Sequence, residues 1–243
     1  MNNIDIKQYK VNILKFLSDR KMCIDDLKTY TMEDYYDIAK SIYIIIWGDY
    51  LSNQYAIPDL IDYTSFDAGD NKYGGETINT FSNFFGNKAK IENIFGKNLT
   101  KYEEVIINLF EQKYQTIGNF MVLPKGKRQD KKTEVLNNIK NRLDKDLADT
   151  FFYYLFETDD LIDLRGKERN KFYFKEIKNP EIFCEKNFLE PFFEPVTFKV
   201  KKNFFNRNLE PKDFAIDYIQ KAIFVIDYRA ERICAILKER LKS

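Results

Sequence analysis

Residues 211–237 read PKDFAIDYIQKAIFVIDYRAERICAIL, and their spacing decides the fold class. Phe214, Tyr218, Ala222, Val225, Ile226, Ile233 and Leu237 recur mostly at three-, four- and seven-residue steps, which lay apolar side chains along one face of an α-helix. Pro211 suits the first helical position, where a backbone N–H would have no intrahelical partner and φ is already fixed near the helical value. Working outward, Ile6, Tyr9, Ile13, Phe16 and Leu17 mark a second helix face. Tyr35, Ile38, Ala39, Ile42, Tyr43, Ile46 and Tyr50 mark a third. Thr100 and Glu103 form an S/T-x-x-E capping box ahead of an apolar face made by Val105, Ile106, Leu109 and Phe110. Asn179 is placed to cap a helix that starts at Pro180. Further helices are predicted over residues 77–85, 88–95, 133–143 and 146–156.

Between these segments the pattern stops twice. Residues 58–75 hold Pro58, Gly69, Gly74 and Gly75 among Asp59, Asp62, Asp67 and Asp70, which reads as a long ordered loop of the kind that often carries function. Residues 116–126 hold Gly118, Pro124 and Gly126. Short strands are predicted near residues 116–123 and 192–200, the latter being an extended arm in the alternative reading. No internal repeat and no Gly/Ser linker divides the chain. The expected architecture is mainly α, a single compact multi-helix domain over residues 1–243 with at most a few short strands. A junction between two helical subdomains near residue 120 is the alternative.

Composition sets what chemistry is available. The chain has no histidine, which removes Ser-His-Asp and Cys-His centres, HNH and HExxH metal sites, and nucleases with a histidine base. Cys23, Cys184 and Cys234 are far apart and sit among apolar residues, so they are expected to be reduced core residues rather than a disulfide or metal framework. With no targeting signal in the first ten residues and an apolar run, residues 42–47, far short of the ~20 residues of a membrane span, a cytoplasmic protein with no membrane partner is expected. No cofactor is expected. The 22 Phe and 16 Tyr, beside much Asn, Lys and Ile, reflect an AT-rich genome more readily than an aromatic binding surface.

A net charge of +1 provides no global field toward a polyanion, so local segregation must carry any such role. Residues 49–76 hold six acidic side chains, Asp49, Asp59, Asp62, Asp67, Asp70 and Glu76, against Lys72 alone. Residues 121–145 hold eight basic ones, Lys125, Lys127, Arg128, Lys131, Lys132, Lys140, Arg142 and Lys145, against three acidic. A solvated face explains such runs most simply; a phosphate-binding surface is the functional reading.

Two short motifs stand out, Gly75-Glu76-Thr77-Ile78-Asn79-Thr80-Phe81 and Ile117-Gly118-Asn119-Phe120-Met121-Val122-Leu123-Pro124. Together they resemble an uncharacterised bacterial protein family that carries G-[DE]-T-[MI]-N-[ST]-F and, some tens of residues later, I-G-x-[FM]-M-x-x-P. The resemblance continues through Arg142-Leu143-Asp144 into an aromatic-rich tail and implies a shared fold, with Glu76, Thr77, Asn79, Gly118, Asn119 and Arg142 as candidate binding residues. The co-occurrence of the motifs implies that residues 77–81 pack near residues 117–120. The I-G-N segment, with Leu136-Asn137, is also similar to part of the nuclease modules of modification-dependent restriction enzymes, but their metal-binding histidine has no counterpart here. A purely structural reading gives Gly118 a positive φ, Asn119 a side-chain hydrogen bond to the turn, and Thr77 the N-cap of a helix in which Asn79 and Phe81 line the buried side.

Asp163 followed by Glu176-Ile177-Lys178 has the D…E-x-K order of metal-dependent nucleases, a pattern frequent by chance in a chain with 32% charged residues. Two functional classes therefore stand. The first is an intracellular binding protein that engages a protein or nucleic acid through its segregated charges, with Lys125, Lys127 and Arg128 in the basic segment. The second is a phage-defence enzyme acting on nucleic acid or a nucleotide through carboxylates and a metal.

Overall fold

A computed structural model of the chain describes residues 6–31, 38–39, 41–46, 77–79, 88–122, 178–194 and 208–242. The described part is mainly α. Its helices are α1 (Ile6–Asp19), α2 (Lys88–Phe95), α3 (Lys101–Tyr114), α4 (Pro180–Lys186) and α5 (Pro211–Lys242), with residues 38–39 and 41–46 helical as well. Short 3-10 turns occupy Ile24–Lys28, Ile117–Asn119 and Glu190–Phe192. Among the described residues, strand is confined to β1 (Thr77–Asn79) and β2 (Phe120–Val122).

The 32-residue α5 is the axis of the fold. Every residue of its expected apolar face, from Phe214 to Leu237, is buried. The turn at Ile24–Lys28, α2, α3 and the Ile117–Asn119 turn all pack against it. Ile13, Phe16 and Leu17 of α1 enter the same core, as do Ile42, Tyr43 and Ile46. Each fully buried aliphatic or aromatic side chain contributes roughly 1.5–3 kcal/mol, so this helix face outweighs any local propensity. Polar contacts fix the register of the surrounding pieces. Arg240 of α5 donates to the Ile45 carbonyl at 2.8 Å. Lys238 pairs with Asp25 at 2.5 Å, while Lys28 pairs with Glu231 at 2.6 Å.

Helix ends follow local chemistry. The Thr100 hydroxyl accepts from Glu103 N at 3.3 Å and the Glu103 carboxylate accepts from Thr100 N at 2.8 Å, completing the capping box. Asn179 Oδ1 accepts from Ile182 N at 2.9 Å ahead of Pro180. At its C-terminus α1 closes with Lys21 N donating to Ser18 O (3.1 Å) and Met22 N to Leu17 O (2.9 Å), the paired bonds of a Schellman turn, with Lys21 at φ 54°. After α4, Phe188 N donates to Glu185 O (3.3 Å) and Leu189 N to Cys184 O (2.7 Å), with Phe188 at φ 57°. Helices that end in a left-handed residue usually place Gly there. Here α2 does so, with Gly96 at φ 86°.

Three expectations are corrected. Thr77 does not cap a helix: Thr77–Asn79 is a strand, because it pairs antiparallel with β2 in the register Thr77↔Val122, Ile78↔Met121, Asn79↔Phe120. Cys23 is exposed, whereas Cys184 and Cys234 are buried free thiols. On α3 only Ile106 and Phe110 of the four expected apolar residues are buried; Val105 and Leu109 face outward at 55% and 38% exposure, because α5 covers one arc of the helix. The predicted helices over 133–143 and 146–156 and the acidic loop over 58–75 lie outside the described residues. So does the 195–200 part of the second predicted strand.

Candidate functional site

The pairing of β1 with β2 brings the two sequence motifs together. Asn79 of the first lies opposite Phe120 of the second. The expected proximity of residues 77–81 and 117–120 is met at Asn79 and Phe120, while residues 80–81 lie outside the described residues, and the second motif can be followed inward from there.

At the end of α3 the chain turns on hydrogen bonds within the motif. Thr116 Oγ1 donates to Lys113 O at 2.8 Å, Asn119 N to Thr116 O at 2.9 Å, and Asn119 Nδ2 to Tyr114 O at 2.8 Å. Thr116 and Asn119 are fully buried. Thr116 also bridges to Thr31, tying the turn to the segment after α1. The side-chain bond expected of Asn119 is thus present.

Gly118 is required for a different reason than a positive φ. Among the described glycines only Gly96 has one. A Cβ on Gly118 would overlap the Ile226 carbonyl oxygen and approach the Ala230 methyl to 3.1 Å, so the turn rests directly on the backbone of α5. Absence of a side chain, rather than backbone freedom, is what the position uses.

Beside that contact, Arg229 extends from α5 into the interior with 1% of its surface exposed. Its Nε donates to Asn187 O at 2.8 Å, its Nη2 to Phe120 O at 2.6 Å, and its Nη1 to Gly118 O. Tyr43 donates its hydroxyl to the same Phe120 carbonyl. One guanidinium fork therefore holds α5, the I-G-N-F segment and the turn after α4, and Tyr43 adds the helical residues 41–46. Burial lowers the pKa of Arg229, opposed by the neighbouring Tyr43, while burial pushes the Tyr43 hydroxyl up to about 12. The Tyr43 hydroxyl keeps its proton at neutral pH, and a guanidinium is effectively always charged in proteins. They act as fixed donors, which makes the cluster a clamp and not an acid–base pair.

Half-buried Glu190 lies at the edge of this clamp. Its Oε2 has no hydrogen-bond partner, and Oε1 is 3.9 Å from Arg232. Burial raises its pKa, and its own backbone N–H, then Arg232 and Tyr228, offset this in part.

The expected site residues divide into three groups. Thr77 and Asn79 stand in β1. Gly118 and Asn119 are buried and engaged inside the protein. Glu76, Lys125, Lys127, Arg128 and Arg142 lie outside the described residues, as do Asp163 and Glu176, while Lys178 is exposed. Among the described residues no group of three or more His, Cys, Asp or Glu side chains converges to hold a metal. No helix among them is long and apolar enough to cross a membrane.

Sequence reading missed Arg229, Tyr43 as a donor, and Glu190. Arg229 left a signal: it falls in the interval between Ile226 and Ile233, on the apolar face of α5, where a solvated charge does not belong. No protein-family model, curated protein or solved structure matches this chain.

Proposed function

We propose that this chain is a non-catalytic binding protein whose basic segment, residues 121–145, engages the phosphate backbone of a nucleic acid. The observation that supports this reading is the register of the ribbon. The acidic segment runs into Thr77 and the basic one runs out of Val122, and these residues face each other at one end of the β1–β2 pair. At the other end, Phe120 is held by Arg229 and Tyr43. The ribbon is thus anchored in the core at one end and joins the two charged segments at the other.

The same arrangement favours binding over chemistry. Gly118 and Asn119, the motif residues best suited to a catalytic turn, are used for packing and internal hydrogen bonds. The eight basic side chains of residues 121–145 are a source of counterion release on meeting a polyanion.

The test is a fluorescence-anisotropy titration with labelled single- and double-stranded DNA and RNA over a salt series starting at about 50 mM. The expected result is binding whose logarithm falls linearly with log salt, by roughly 0.7–0.9 per phosphate neutralised. Replacing Lys127 and Arg128 with Ala is expected to weaken all sequences about equally and to lower the slope, because backbone contacts carry no base information. Absence of binding to every probe at the lowest salt would overturn the proposal and leave a protein partner as the ligand to seek.

A further inference from the structure

The turn after α4 combines three features within four residues. Phe188 bears a large side chain in the left-handed backbone region, a combination that persists only where surrounding contacts impose it. The carbonyl of Asn187 is drawn inward by Arg229 Nε at 2.8 Å. Glu190 then opens a 3-10 helix with one carboxyl oxygen buried and unpartnered.

An ionised carboxylate in that position has its own backbone N–H as a donor but lacks a close counter-ion, and burial outweighs that support. Among the described residues the cation paired with it is Arg232 of α5, which stands 3.9 Å from the other oxygen and is itself half-exposed. Tyr228, also on α5, faces the group and offers a hydroxyl. Arg229 on α5 feels its charge but spends its fork on backbone carbonyls. Glu185 and Cys184 of α4 lie on the other side, and the Glu185 charge opposes ionisation. A neutral carboxyl needs no counter-charge there, whereas an ionised one gains by moving its buried oxygen into water.

We infer that residues 187–193 form a proton-controlled latch, closed on α5 when Glu190 carries a proton and loosened when that proton passes to solvent. Its closed form is held by Leu189 N to Cys184 O at 2.7 Å, Phe192 N to Leu189 O at 2.9 Å and Phe193 N to Glu190 O at 2.9 Å. Loosening the turn frees the Asn187 carbonyl and so takes one acceptor from the guanidinium that also grips Gly118 and Phe120. The protonation state of Glu190 is thereby transmitted to the anchored end of the ribbon.

The direction of the pH dependence follows from the raised carboxyl pKa. Its contribution to closure is complete below the unfolded glutamate value and is lost as pH rises through the higher folded value. Amide hydrogen exchange of Leu189, Phe192 and Phe193, corrected for intrinsic rates and followed from about pH 4 to pH 8, reads this directly. In the wild type, protection is expected to fall by about tenfold for each pH unit separating the folded and unfolded pKa values. In Glu190→Gln it should stay at the low-pH level throughout. Protection that is flat with pH in the wild type, or that falls equally in Glu190→Gln, would overturn the latch. A carbon-13 NMR titration of the Glu190 carboxyl in the unmodified protein decides the matter even if the variant fails to fold. A midpoint at or below the ordinary value of about 4.3 is incompatible with the inference.

Discussion

Gly118 and Ile226 meet backbone to backbone, 108 residues apart in sequence and with no room between them for a methyl group. The obstacle is a helix carbonyl rather than the end of a flexible side chain, so neither partner can step aside cheaply. Gly118→Ala is therefore expected to cost at least about 2 kcal/mol, in the range of overpacked cores. Urea denaturation should show a lower midpoint with an unchanged slope. A loss below about 0.5 kcal/mol, the level of an ordinary surface change, would mean that the turn does not rest on α5.

Arg229 is predicted to be the least replaceable side chain in the described core. Arg229→Met leaves the carbonyls of Asn187, Gly118 and Phe120 without three of their donors, at about 1–3 kcal/mol for each buried group left unsatisfied. Arg229→Lys keeps the charge but cannot reproduce a planar fork reaching three acceptors. Both variants should lose several kcal/mol in chemical denaturation, with Lys the milder. Equal stability of Lys and wild type would show that charge alone suffices.

Lys21 and Gly96 occupy the same kind of position after their helices, with φ 54° and 86°, and should respond oppositely to exchange. Lys21 is exposed, so Lys21→Gly removes a left-handed conformation of a side-chain-bearing residue and loses little packing. A gain of about 1 kcal/mol is expected. Nothing lies within 4 Å of a Cβ added at Gly96, so Gly96→Ala tests backbone conformation alone and should lose a similar amount. Thermal midpoints of the two variants should move in opposite directions.

Glu103 gives the acid side of the stability profile. Lys212, at 2.5 Å, and the Thr100 backbone N–H hold its carboxyl below the ordinary range. Its contribution is present above the unfolded glutamate pKa and fades as pH falls through the lower folded value. Glu103→Gln should flatten the loss of stability below about pH 5. Thr100→Ala, which removes the reciprocal half of the box, should cost about 1 kcal/mol at neutral pH.

The parts of this fold that were legible in the sequence are those decided within a few residues. Thr100 with Glu103, Asn179 with Pro180, and the apolar period of α5 each state their structure locally, and each is observed. Thr77–Asn79 was read as helix because a three-residue strand owes its existence to a partner more than forty residues away. Local propensity carries little information about such a segment. The site was legible to the extent that the two motifs were expected to meet. The reason for Gly118 was hidden because its constraint comes from a helix that the sequence places a hundred residues later. Arg229 was passed over because a charge within an apolar stripe is ordinarily assumed to reach solvent, and its three carbonyl acceptors come from two distant turns.

The dependence of so many elements on α5 imposes an order of events on synthesis. Asp25 finds Lys238 at a separation of 213 residues, and the Ile24 carbonyl meets Cys234 at 210. At about 5–20 residues per second, the turn at Ile24–Lys28 waits roughly 10–40 s for the helix that covers it. Ile13, Phe16, Leu27 and Ile42 spend that interval without their final neighbours. Until α5 emerges, the apolar residues it covers stay open to other partners, so slower elongation is expected to lengthen that exposure.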